Sequence, residues 1–194
     1  VGLMSIKSAF LLGAERIIAI DHFPGRLNKA RACGAEIINF ESEEEVLETI
    51  KYLTGGRGPD SCIDAVGMEA HGHTVLNALD TVKQKVKLGT DRPDALRFAI
   101  QSCRKGGFVS VPGVYGGALD KFPFGAAFGK GLTFKMGQTH VQKYMEELLN
   151  LVLEEKVDLT DVISHRLTLE DGPSAYKNFN EEKDEFIKVV MKIH

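Results

Sequence analysis

Residues Val1 to Asp21 read VGLMSIKSAFLLGAERIIAID. Leu3, Ile6 and Phe10, with Met4 and Leu11 beside them, recur at the spacing of one helix face, and Gly13 stands where that helix would end in a left-handed residue. Arg16 to Asp21, RIIAID, then reads as a short buried strand that ends in a carboxylate.

The same alternation continues downstream. Pro24 suits the first turn of a helix carrying Leu27, Ala30 and Arg31 and closed by Gly34, and EIIN (Glu36 to Asn39) is the next strand. Ser42 followed by Glu45 is a capping-box pattern, and the acidic run Glu43-Glu44-Glu45 suits the positive end of the helix dipole; that helix ends near Gly55-Gly56. SCIDAVG (Ser61 to Gly67) is a further apolar strand. The period is then lost through a stretch containing HGH and TDRPD, read as an inserted excursion. Pro93 starts a helix with Leu96, Ala99, Ile100 and Cys103, followed by the strand FVSVPG, a glycine- and phenylalanine-rich loop over 114–131, the strand LTFKMG and a helix over Met145 to Leu153. Strands without alternating polarity, each followed by a helix, imply an α/β fold with a doubly wound parallel sheet covered on both faces. The tail differs: HRLTL, a helix around Ala175 to Phe179 and FIKVVMKI read as an α+β segment beyond the doubly wound part.

Composition narrows the function. The 194 residues carry 24 Lys+Arg against 27 Asp+Glu, a net charge of −3, so no basic excess points to nucleic acid or an anionic membrane. With 43% hydrophobic residues and a mean hydropathy of −0.10 the chain is globular in type, and its N-terminal apolar stretch, interrupted by Lys7, Glu15 and Arg16, is neither a signal peptide nor a membrane span. Cys33, Cys62 and Cys103 match no thiolate-metal spacing and fit a reducing, cytoplasmic compartment.

Among polar residues Asp21 is the sharpest. An acid at the tip of the strand after the first helix can accept hydrogen bonds from both hydroxyls of an adenosine ribose and would repel a 2′-phosphate, which favours NAD over NADP. Methyltransferase-type sheets use an acid at the same place, and some strand-end aspartates only cap a helix. Arg26 is placed to meet the adenosine edge or a phosphate; its alternative is a solvated helix position. Gly2 stands 19 residues before Asp21, the interval expected between a glycine fingerprint and its acid, although only Val1-Gly2 of such a loop is present. His71 and His73, with Glu69 nearby, make a weak metal signal and a better cofactor contact or plain loop surface. Pro112-Gly113-Val114 and Gly137-Gln138-Thr139 each end a parallel strand on the ligand-binding side, offering backbone groups to a planar carboxamide or simply turning the chain. No catalytic carboxylate pair, G-x-S-x-G elbow or P-loop lysine is present.

The run Val1 to Asp21, with PGRLNKARACGAE, DAVGMEAHGH, TDRPD, SVPGVYGG, KFPFGAA and GQTHVQKYM, resembles the zinc-containing medium-chain alcohol dehydrogenases, and more narrowly their glutathione-independent formaldehyde dehydrogenase branch. The resemblance extends over essentially the whole chain. It implies a Rossmann-type NAD-binding domain over 1–163, N-terminally truncated, and a segment over 164–194 that completes a GroES-like catalytic domain. Val1 and Gly2 would lie under the pyrophosphate, Asp21 on the adenosine ribose, Arg26 beside the adenosine, and Val66, His71 and His73 along the adenine and ribose side. Pro112, Val114, Gly137 and Thr139 would hold the nicotinamide end. No catalytic residue and no zinc ligand is expected in this chain; those ligands, the proton relay and the first Rossmann strand would lie upstream of Val1. The implied activity is NAD- and zinc-dependent oxidation of a small alcohol or hydrated formaldehyde by a dimer or tetramer. The alternatives are a polyol or longer-alcohol dehydrogenase of the same superfamily, a non-catalytic nucleotide-binding module and, less favoured, a methyltransferase.

Overall fold

The computed structural model describes residues 1–42, 45–67, 90–91, 94–116, 118–119 and 121–193. It divides into two units, one of Val1–Gly2 with Glu45–Thr139, the other of Leu3–Glu44 with His140–His194.

In the second unit the opening stretch folds as its pattern predicts. Helix α1 (Gly2–Leu11) is followed by strand β1 (Ile18–Asp21), helix α2 (Pro24–Ala32) and strand β2 (Glu36–Asn39). The strands pair in parallel with Ile18 opposite Glu36 and Asp21 opposite Asn39. Ile6 of α1 packs with Ala30 and Ala35, flanked by Leu3, Phe10, Ile17 and Ile37, so the helical stripe seen in the sequence is the face that meets the sheet. Gly13 and Gly34 both take positive φ after their helices, as expected of C′ residues. The tail forms strand β8 (His165–Thr168), helix α7 (Gly172–Glu181) and strand β9 (Val189–Lys192), and these two strands are parallel as well. The tail is therefore itself a strand–helix–strand unit.

In the first unit helix α3 (Val46–Leu53) leads to strand β3 (Ser61–Ile63); helix α4 (Asp94–Ser102) precedes strand β5 (Phe108–Val111), helix α5 (Phe124–Lys130) and strand β7 (Thr133–Met136). A two-residue pair, β4 (Thr90–Asp91) with β6 (Ala118–Leu119), stands apart. β3, β5 and β7 form a parallel ladder in that order, with Ile63 opposite Ser110 and Val111 opposite Met136. Leu96, Ala99 and Ile100 of α4, with Cys103 just after it, pack with Val109, Val111 and Ala127 to make the core of this unit. Among the described residues β1 pairs with β2 alone and β3 with β5 alone.

Four expectations change. The helix foreseen from Ser42 begins at Val46 with Glu45 as its N-cap and no side-chain cap bond. Asn39 explains why: its carboxamide oxygen accepts from the Glu41 amide at 3.0 Å and its carbonyl from the Ser42 hydroxyl at 3.2 Å, so the serine closes the turn after β2 instead. Glu43 and Glu44 lie outside the described residues. The stretch 114–131, expected as a loop, contains helix α5, because Ala127 is buried in the core and that contact outweighs two glycines. SCIDAVG, expected as an apolar strand over Ser61 to Gly67, is strand only at Ser61–Ile63, and Ile63 is 46% exposed because successive strand residues face opposite sides while Cys62 packs against the core. The apolar helix at Met145 starts earlier than its pattern indicated, spanning Val141–Leu153 as α6.

Lys130, the last residue of α5, caps α4. Its Nζ donates to the carbonyl oxygens of Ile100, Gln101 and Cys103 at 3.0, 2.6 and 2.8 Å, groups that a helix C-terminus otherwise leaves without partners. Lys130→Met keeps the stem and removes the donors. Its expected cost is about 2 kcal/mol, typical of charge-assisted bonds to partly buried acceptors, read as a lowered urea midpoint at unchanged slope.

Cys62, Cys103 and Cys33 are free thiols. Burial pushes the Cys62 thiol up to about 12, so it stays protonated and packs rather than reacts.

Candidate cofactor site

Parallel sheets place ligands at the carboxyl ends of their strands, and each unit has parallel strands of its own. Asp21 is the last residue of β1. Its Oδ1 accepts from the amides of His22 at 2.7 Å and Phe23 at 3.2 Å, which holds the carboxylate rigidly against the turn into α2. Oδ2 lies 3.9 Å from Arg26 Nη1, too far for a strong bond, and the side chain is partly exposed. The Arg26 guanidinium stacks over the Phe23 ring at 4.3 Å. Asp21 therefore presents one oxygen already ordered by backbone and a second with capacity to accept from a ligand hydroxyl, beside a cation and an aromatic face.

The turn that carries these groups is pinned from the tail. Asp184 Oδ1 accepts from the Gly25 amide at the start of α2, and a Cβ at Gly25 would collide with the Asp184 backbone oxygen. No sequence pattern announced this pairing, which spans 159 positions.

In the other unit the register of the β3–β5–β7 ladder brings the remaining candidates to a common level. Asp64 follows β3, Pro112 follows β5 and Gly137 follows β7, each just beyond the last paired residue. The loop after β3 and the loop after β5 touch directly: a Cβ on Gly113 would lie 2.6 Å from Gly67 N, and one on Gly67 would lie 2.5 Å from Val114 N. Val66 and Val114 stand exposed on these loops. Gly2 adjoins them, with its missing Cβ 4.0 Å from that of Ala65. Gly137 and Thr139 follow β7 and are exposed; Gly137 has φ near +147°. His71 and His73 lie outside the described residues.

The residue that sequence reasoning missed is Asp64, 2% exposed beneath both loops. Oδ1 accepts from the Val66 and Gly67 amides at 3.0 and 3.1 Å, Oδ2 from the Tyr115 hydroxyl at 2.6 Å, and the Asp64 carbonyl from the Gly113 amide at 3.0 Å. A carboxylate inside the otherwise apolar run SCIDAVG was the available signal, since a buried charge has to be bonded to something.

Among the described residues no three His, Cys, Asp or Glu side chains converge to hold a metal ion. Likewise no described helix is long and apolar enough to cross a membrane.

The chain is similar to known proteins along its whole length. Residues 1–91 match the model of a family described as zinc-binding dehydrogenase. The zinc-type alcohol dehydrogenase-like protein AdhB of Bacillus subtilis is 38% identical over 193 residues, covering 99% of this chain and 50% of the relative. A glutathione-independent formaldehyde dehydrogenase of Pseudomonas aeruginosa is 31% identical, covering 93% and 46% respectively. Among solved structures, an alcohol dehydrogenase from Thermus sp. ATN1 superposes with a TM-score of 0.77 at 31% identity, over 99% of this chain and 48% of that one. The chain spans about half the length of the relatives it matches.

Proposed function

We propose, for a chain that belongs to the zinc-type medium-chain alcohol dehydrogenase superfamily, that it is the NAD-binding portion of an enzyme oxidising a small alcohol or hydrated formaldehyde. Residues 1–163 form the Rossmann-type cofactor domain and 164–194 the segment that closes a catalytic domain. Asp21 carries the reading: a strand-end carboxylate whose Oδ1 is held by two amides, and whose Oδ2 has no hydrogen bond among the described residues, is an acceptor set for ribose hydroxyls. Arg26 and Phe23 give the adenosine a flat, cationic edge. Val1 and Gly2 open α1, whose first-turn amides suit a pyrophosphate, while Val66 bounds the adenine and ribose side. Pro112, Val114, Gly137 and Thr139 supply carbonyls and amides for the carboxamide. Bound NAD supplies the hydride acceptor, and this chain binds and orients it.

Three free thiols fit a cytoplasmic protein, and β7, which pairs only with β5 among the described residues, is an edge suited to a dimer or tetramer contact.

Asp21→Ala in the complete enzyme is expected to weaken NAD binding about tenfold, close to 1.4 kcal/mol, and to narrow the preference over NADP. Isothermal calorimetry with both nucleotides measures this. An unchanged affinity would remove Asp21 from the site.

A further inference from the structure

We propose that Asp64 is a positioning residue for the cofactor, acting through Tyr115: one buried carboxylate sets the shape of both loops that carry Val66, Pro112 and Val114. The inference rests on the cofactor reading above and adds to it a residue that touches no ligand.

The geometry makes Asp64 a partner that both loops share. From the loop after β3 it takes two successive amides, Val66 and Gly67, on Oδ1. From the loop after β5 it takes the Tyr115 hydroxyl on Oδ2, while its own carbonyl takes the Gly113 amide. Its amide donates to Ser110 of β5 at 2.9 Å, so the residue is tied to the neighbouring strand as well. Only acceptors are needed toward these three donors, two backbone amides and one hydroxyl, and a carboxylate is acceptor-only. Buried at 2% exposure, it has no water to exchange these bonds for, so the donors are held in one arrangement. Gly67 and Gly113 show what that arrangement is for: backbone meets backbone with no room for a Cβ, which brings the loop after β3 against the backbone of Val114. A core that needed only a polar plug would not draw four main-chain and side-chain groups of two binding loops onto one residue.

Tyr115→Phe removes a single hydroxyl and leaves the ring. In the complete enzyme it is expected to raise the calorimetric Kd for NAD about fivefold and KM for NAD by the same factor, with kcat within about twofold and little change in melting temperature. Amide exchange at Val66, Gly67 and Gly113 should quicken in the variant. Asp64→Asn is the conservative test: its amide oxygen can still accept from Val66 and Gly67 while its NH2 donates to the Tyr115 oxygen, so NAD affinity should stay within about twofold of wild type. Equal Kd for wild type and Tyr115→Phe overturns the proposal, as does a variant that loses melting temperature but no affinity. An Asp64→Asn protein that binds as poorly as Tyr115→Phe would show that charge, not loop geometry, matters, and overturns it too. Wild-type enzyme that gives no binding heat with NAD overturns the cofactor reading itself, which separates the two failures.

Discussion

Replacing Ile100 with alanine is expected to lower the unfolding free energy by about 3 kcal/mol, within the range of 2–5 for deleting a buried aliphatic side chain. Ile100 has no exposed surface and sits on the α4 face between Leu96, Cys103 and the strand residues Val109 and Val111. Three lost carbons leave a void that close-packed neighbours fill only in part, so the cost exceeds transfer free energy alone. Phe98, one turn-face away on the same helix and 42% exposed, is the control: Phe98→Ala should cost less than half as much. The void also lies beneath β5, whose end leads into Pro112 and the loop tied to Asp64. Urea denaturation of both variants decides the matter; equal losses would mean that α4 does not bury the face its spacing indicates.

The α4 stripe illustrates why much of the fold was legible. Leu96, Ala99, Ile100 and Cys103 share a helix face in any helical conformation, so their apolar character already states which side is covered. The same holds for Leu3, Ile6 and Phe10 in α1. Helix α5 was not legible because Gly125 and Gly129 depress local helix preference, and what stabilises it is Ala127 reaching the core and Lys130 reaching α4, contacts made only after folding. Ser42 failed as a cap for the converse reason: Asn39, earlier in the chain, offered it a closer partner.

The site divides along the same line. The place of Asp21 was readable because it is set locally, a carboxylate at the tip of a strand after a helix, and the structure puts it at the end of β1. Asp64 was not, because its partners Gly113 and Tyr115 lie 49 and 51 positions away and nothing in SCIDAVG names them. Asp184 on Gly25 is a still longer pairing. Residues that contact a ligand leave a local trace in the sequence, whereas residues that hold the loops in shape leave only an anomaly, a charge where the pattern calls for an apolar side chain.

Gly67→Ala tests the close approach of the two loops most severely. Gly67 has φ near +65°, a conformation that costs an L-residue roughly 1–2 kcal/mol. Its new Cβ would lie 2.5 Å from Val114 N, 2.7 Å from Val114 O and 2.9 Å from Gly113 C, all backbone atoms that no rotamer change can move aside. Overpacking of this kind adds about 1–3 kcal/mol, so a total near 3 kcal/mol is expected, together with a loss of NAD affinity of tenfold or more as the loops carrying Val66 and Val114 separate. Gly125→Ala supplies the comparison: its Cβ meets nothing within 4 Å in helix α5, and the change should be neutral or stabilise by up to about 1 kcal/mol. If Gly67→Ala melts with the wild type and binds NAD equally well, the loops are not in contact in solution and the path from Asp64 to the cofactor site fails with them.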